Sequence, residues 1–587
     1  ALILLVFCWP IFENLQNLGI WDWDQHLFYF GSFVKTVKEY HQLPLWNPWH
    51  CGGNGLLQNP QIPLVSPVYL LSVIFSVPTA LKINIYLHYL VGALGTLAIA
   101  NAFRVSNAFI YLAAASIFIF NGSLVWHIRV GHTHFLSSCI WPWIFFCYLR
   151  TLATHRLRWL LSAAMLLAFI IFEGGFYPAT YIALFLFLYS AIRAALQRNW
   201  KPFTSVMQIG VYALLFSAPK VVPIVDFMRY YPRHTDAAEN VPLTVWPKIF
   251  LDRHQDDLVS TFHSVFPSQR WLWHEYGCYI GILAVAFVLA AFCFSSVQMV
   301  RQLTGKQPKR DETECAFALT CSFVAFAILM LGNFAHWSPY QLLHRLPPFS
   351  SLRDPSRFVL MMCFVGFLLV LRVTASLKIR VPRMKLTGWL IALLSIVMLS
   401  DLVTVNRKLF HGIFSLSPPI REITHPTNVE NYVAVNDLPS YGSFSALYLG
   451  LLTNRSVVNC YEDCRPKLGY VLGAPLVYAM EPTTQISMIR FTPNRISFSV
   501  KAPTETVIFL NQNFVKGWRF NQNNVPVNEL QNKPFIRLGP GDYPHLSFYF
   551  LPSSLFVGLA CAGIGACLAS GHSIWRARRS PAKPHML

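Results

Sequence analysis

"GPGDYPHLSFYFLPSSLFVGLACAGIGACLAS", residues 539–570, changes character within a few positions. "GPGDYPH" reads as a turn. "HLSFYF" alternates as a strand does. From about 552 to 571 the chain is apolar for long enough to span a bilayer, which takes roughly 20 such residues. A β-rich unit therefore runs straight into a membrane helix. Further alternating runs lie upstream, "RISFSV" at 495–500 and "ETVIFL" at 505–510. Residues 406–551 are accordingly expected to be a small β-rich domain placed before the last helix.

Towards the N-terminus the chain repeats long apolar stretches. Eleven more are expected to span, at about 1–20, 81–103, 107–121, 135–150, 159–172, 178–196, 204–222, 277–298, 314–332, 357–375 and 386–405. Composition agrees: 54% of the 587 residues are hydrophobic and 12% charged, against about 25% charged in soluble domains. The net charge of +20 does not point to nucleic acid. The cations sit in short alternate loops: Arg104, "RTLATHRLRW", "RAALQRNWK", "VRQLTGKQPKRDE", "SLKIRVPRMK" and the tail "WRARRSPAKP". Short basic loops mark the cytoplasmic side. The opposite, extracytoplasmic side then carries the long loops 21–80 and 223–276 and the β-rich domain. The chain divides into a transmembrane domain (1–405), the β-rich domain (406–551), and a last helix with a basic cytoplasmic tail (552–587). Most of the thirteen cysteines lie in apolar runs. Cys460 and Cys464, in "NCYEDCRP", are either a disulfide or two thiols.

The first long loop opens with "GIWDWDQHLFYFG", residues 19–31, where Asp22 and Asp24 alternate with Trp21 and Trp23. Next come "LPLWNPWHCGGN" (43–54) and "NPQIPLVSPVYLL" (59–71). "VGHTHF" (130–135), "FEGGFYP" (172–178), "LPPFSSLRDPSRF" (346–358) and "NQNFVKGWRF" (511–520) follow in order. This ordered set resembles the YfhO-like bacterial membrane proteins of the GT-C glycosyltransferase superfamily. The resemblance implies a GT-C-like bundle of about twelve transmembrane helices with a C-terminal extracytoplasmic β-rich domain, in the bacterial inner membrane. It also implies transfer of a sugar from a polyprenyl-phosphate-linked donor to an envelope glycan, lipid or protein, at the extracytoplasmic face.

In that superfamily an acid of the first outer loop serves as general base, which makes Asp22 and Asp24 the catalytic candidates. In a helix, residues two apart diverge by roughly 200°, so one of the two is expected to act: nearness to Gln25 slightly favours Asp24, while the acid-to-Gln spacing of the resembling proteins leaves Asp22 open. The plainer reading makes the tryptophans an interfacial belt and the acids solvated neighbours. Gln25 and His26 are placed to orient the acid or touch substrate. A phosphate leaving group calls for fixed cations, and Arg129, His132, His134, Arg353 and Arg357 are the candidates. Glu173, beside Gly174 and Gly175, is a further acid or a sugar-hydroxyl acceptor. His274 and Glu275 are minor candidates, and Trp271 and Trp273 read as membrane anchors. His132 and His134 have no third metal ligand adjacent in sequence, so zinc is the weaker reading: a divalent metal is left open but not indicated, and no other cofactor is expected. Two other functions compete. One is a transporter or flippase of lipid-linked glycans, for which charges within spans such as Lys220 and Asp401 matter. The other is a non-enzymatic envelope scaffold.

Overall fold

A computed structural model describes the chain except for residues 234, 268, 307–310, 378–384, 419–432, 436–446, 459–464, 523–524 and 580–587. Among the described residues, ten helices are long and apolar enough to cross a membrane, and the apolar helices Leu2–Phe12 and Leu157–Phe172 are shorter. Together they correspond to the twelve expected segments, and the chain is a multi-pass membrane protein. The segment Pro355–Ser376 is the most enclosed. Ser553–Ile574 is peripheral and lies along Lys201–Tyr230. Their backbones come close enough that a Cβ on Gly558 would stand 2.5 Å from the Ala218 carbonyl oxygen.

Two expected segments have different limits. The first helix ends at Phe12 rather than near residue 20, because "ENLQN" replaces apolar side chains with polar ones. The expected 107–121 span does not stop there. Asn121 accepts a hydrogen bond from the Leu124 N–H at 3.0 Å and starts a second helix, Gly122–Val130. Residues 122–130, expected in a loop, are thus helical and mostly buried.

Charges inside the spans secure loop backbone. Lys220 Nζ donates to the carbonyls of Leu57, Asn59 and Ile62 at 3.1, 2.6 and 2.7 Å. Lys82 Nζ does the same for Asn14, Leu15 and Asn17. Asp401 pairs with Arg253 at 2.5 Å and accepts from Tyr279 Oη at 2.6 Å. Each charge is compensated where it lies, as burial requires.

Among the described residues, the β-rich region has two antiparallel sheets, beside a parallel pair of Val433–Val435 with Arg455–Val457. The five-stranded sheet runs in the order Val525–Pro526, Trp518–Phe520, Gly541–Phe550, Arg495–Ala502, Gln485–Thr492. The four-stranded sheet runs Asn528–Leu530, Lys533–Leu538, Thr506–Leu510, Val477–Ala479. Period-two alternation buries Ile496, Phe498, Val500 and Ala502. Their core is not made by this region alone. Leu45, Trp46 and Leu57 from the first long loop complete it. The Trp46 ring meets Trp518 and Phe550 at 4.9 and 4.7 Å, and its Nε1 donates to Gln512 at 2.7 Å. The β-rich region and the first loop therefore share one end of the helical bundle. Cys51 in that loop is disulfide-bonded. Cys460 and Cys464, expected as a pair or as free thiols, lie outside the described residues.

Candidate active site

The site is assembled where "GIWDWDQH" meets "HIRVGHTH". The helix Gly122–Val130 ends at Gly131, whose φ of +98° suits glycine at a left-handed helix terminus. There is also no room for a side chain. A Cβ on Gly131 would lie 2.4 Å from the Trp23 nitrogen and 2.6 Å from the Asp22 carbonyl carbon. The two backbones are tied by Asp22 N–H to the Val130 carbonyl at 2.9 Å. Trp23 Nε1 donates to the Ile128 carbonyl, also at 2.9 Å. Trp23 is fully buried, so it is a core residue and not a belt residue.

The paired acids part company. Asp22 stands at the N-cap of the helix Trp23–Lys38, and Asp24 lies within its first turn. Asp22 Oδ2 accepts from His132 Nε2 at 3.1 Å. Asp24 turns away and accepts from the backbone N–H groups of Leu447 and Tyr448 at 2.8 and 3.0 Å. It caps the helix Leu447–Leu452. The geometry thus gives Asp22 to the polar cluster and Asp24 to architecture. Asp22 keeps 45% of its side chain exposed, whereas His132 keeps 8%.

From Asp22 a chain of polar groups runs inward. His132 Nδ1 faces His127 Nδ1 at 3.1 Å. The His132 ring packs 5.8 Å from that of His274. His274 Nε2 is 3.5 Å from Glu275 Oε1. Glu275 receives Arg357 through two bonds, from Nε at 2.7 Å and from an Nη at 2.5 Å. The same guanidinium reaches Asp354 at 3.1 Å, and Arg353 reaches Asp354 at 3.4 Å. Arg353 lies over Trp271, 4.8 Å from the ring centre.

Charge follows from these contacts. Burial works to raise the Asp22 carboxyl, but the hydrogen bond from His132, helped by the neighbouring imidazoles, carries it below the ordinary carboxylate range. Burial lowers His132 and keeps its imidazole neutral. Glu275 is buried too, yet the Arg357 charge and His274 hold it well below the usual range. Burial pushes Asp354 up to about 7 against the pull of Arg357. Of the two carboxylates sharing Arg357, Glu275 is the ionised one and Asp354 takes up a proton first. Asp354 also has φ +63° before Pro355, a backbone strain of the kind that clusters at functional sites.

The other expected residues divide. His26 Nδ1 bonds Thr133 Oγ1 at 2.8 Å, and its ring stacks 5.9 Å from His134. His134 packs 5.6 Å from His132, and neither of its buried ring nitrogens has a hydrogen-bond partner among the described residues. Gln25 donates to Tyr29 Oη. Arg129 points away from the cluster and pairs with Asp256 at 2.9 Å. Glu173 is also elsewhere, buried 2.9 Å from His88 Nε2. Both would be poorly placed for a phosphate held near Asp22. Trp273, expected as an anchor, is fully buried and donates to Gln255 at 3.0 Å. His274 and Glu275 rise from minor candidates to the centre of the cluster. His127 and Asp354 were not singled out. The run of histidines at 127, 132 and 134 and the strain-prone "DP" step were their signals.

No family model matches the chain, and no curated protein matches it. The resemblance to YfhO-like proteins thus rests on its motifs. Among solved structures, the chain is similar to the arabinofuranosyltransferase AftD from mycobacteria, with a TM-score of 0.41 and 12% identity. The match covers 69% of this chain and 27% of that one, so the chain spans about a quarter of its length.

Proposed function

We propose that the chain is a glycosyltransferase that moves a sugar from a polyprenyl-phosphate-linked donor to an envelope glycan, lipid or protein acceptor. The observation that carries this reading is the Asp22–His132 pair: a half-exposed, ionised carboxylate fixed by a buried neutral imidazole. Only one Asp22 oxygen is engaged by a described side chain. The other accepts the proton of an acceptor hydroxyl. As that proton leaves, the hydroxyl oxygen bonds to the anomeric carbon, and the bond from that carbon to the phosphate oxygen breaks. Polyprenyl phosphate departs with the electron pair. General-base help of this kind contributes about 10²–10⁴-fold. Arg353, at the accessible end of the cluster, is suited to the leaving phosphate. Arg357 supports it from behind through Asp354.

The site is proposed to face the extracytoplasmic side of a bacterial inner membrane. The alternation of basic loops supports this, and so does a disulfide at Cys51 in the same loop as Asp22. A flippase is supported less. Lys82, Lys220 and Asp401 hold loop backbone or pair locally, and none is left for a substrate path.

Mass spectrometry of envelope glycans tests the reading. Cells carrying the wild-type chain should contain a sugar modification absent from deletion cells and from cells carrying Asp22→Asn. An unchanged glycan profile across all three would remove the assignment.

A further inference from the structure

We infer that His132, His274 and Glu275 form a site for one divalent transition-metal ion, with a fourth position open beside Asp22. The ligand atoms of the first three lie within 4.8 Å of one another. One edge of the polyhedron already has near-final length: His274 Nε2 to Glu275 Oε1 is 3.5 Å. Tetrahedral zinc with bonds of about 2.0–2.1 Å has edges of about 3.3 Å. Side-chain shifts bring His132 up to that pair, the three ligand atoms starting within 4.8 Å of one another. Two imidazoles and one carboxylate with a further open position is the donor set of a reactive zinc centre. Nitrogen donors also select against magnesium and calcium.

The surroundings are those of a metal centre. His132 turns Nδ1 to His127 at 3.1 Å, so with its proton on Nδ1 it offers Nε2 to an ion in place of the hydrogen bond to Asp22. Glu275 is oriented by the two-bond contact with Arg357. Such outer partners fix ligand geometry and tautomer. Each carboxylate oxygen carries two lone pairs, so Glu275 Oε1 serves both the guanidinium and an ion. Arg357 repels a cation, but Asp22, Glu275 and Asp354 surround it with acid. The backbone is firm on both sides. His132 follows the constrained Gly131, and His274 and Glu275 share one turn with the buried Trp273. The partly exposed Asp22 and His274 leave a way in.

This assignment concerns metal binding and does not depend on the transfer reaction. Full-length protein purified in detergent is stripped with chelator, equilibrated with zinc, washed and analysed for metal by mass spectrometry. About one zinc per chain is expected. His274→Ala should weaken binding by at least about tenfold, while Asp24→Asn binds as the wild type does. Unfolding curves of the metal-free proteins establish that His274→Ala is folded. Cobalt(II) in the wild-type protein gives a second readout that needs no variant. Intense tetrahedral ligand-field bands are expected. Zinc content near zero, equal zinc in His274→Ala, or the weak spectrum of octahedral cobalt would each overturn the site.

Discussion

Asp22 Oδ2 lies 3.1 Å from Nε2 of His132, a residue 110 positions downstream. That pairing separates two acids that look interchangeable in "WDWDQ". Asp22→Asn keeps the size of the side chain and removes its basic lone pair. Turnover should fall at least about a hundredfold. Asp24→Asn should leave turnover within severalfold and lower stability by about 1 kcal/mol through its lost helix cap. Product formation in membranes, alongside thermal unfolding of both variants, checks the contrast. Equal loss of turnover in the two would put the base elsewhere.

Arg353 and Arg357 should also separate. Arg357 is buried against Glu275 and Asp354, so Arg357→Ala leaves buried acid uncompensated and should cost about 3–5 kcal/mol. Arg357→Lys should restore little, because an ammonium cannot make the two-bond contact. Arg353 is 31% exposed. Arg353→Ala should fold nearly as well as wild type and lose donor use. Expression level and unfolding midpoint, measured beside donor dependence, distinguish the two arginines.

His26 gives a pH dependence. Burial lowers its pKa from 6.5 to about 3 in the folded chain, with His132 adding to the effect and Asp22 opposing it. The neutral form is the one that folds. Its contribution is therefore complete above about pH 6.5 and is lost as pH falls towards 3, by about 1.4 kcal/mol per unit. His26→Gln should flatten the decline of the unfolding midpoint between pH 6.5 and 5. An identical slope would show that His26 is accessible to protons in the folded state.

Gly131 offers a test of how the site is held together. Gly131→Ala sets a Cβ against the Trp23 nitrogen and requires positive φ of a residue that avoids it. A loss of at least about 1 kcal/mol is expected, with a larger loss of turnover because Asp22 moves relative to His132. Gly305 also has positive φ but nothing near it. Gly305→Ala should cost stability and spare turnover.

The helices were legible because hydropathy is a local property, and a run such as "FVLMMCFVGFLLVL" announces itself. Strands at 495–502 and 506–510 were legible for the same reason. The site was legible only where residue type and motif sufficed, as for Asp22, His132 and Arg357. Glu275 and Arg357 are 82 positions apart, and nothing in either segment encodes their two-bond contact. The cap that occupies Asp24 is supplied from 423 positions away, so spacing to Gln25 could not reveal it. The helical turn after Asn121 was missed because polar Asn and Gly look like a loop. The Asn side chain is what restarts the helix.

Trp46 has a consequence for biosynthesis. Its ring lies in the core of a β-rich region whose Asn494 and Gln512 partners are 448 and 466 positions later. While ribosomes make the chain, the emerging first loop has nothing to pack on through almost the whole of translation. Its tryptophan must wait, uncovered, until the last sheet is delivered to the same face of the membrane. Loop closure over that distance costs little more than over half of it, but the wait itself leaves the nascent chain open to proteases. A chain interrupted before its final strands should be cleared by the cell as an unfinished protein, even with most of its membrane helices already inserted.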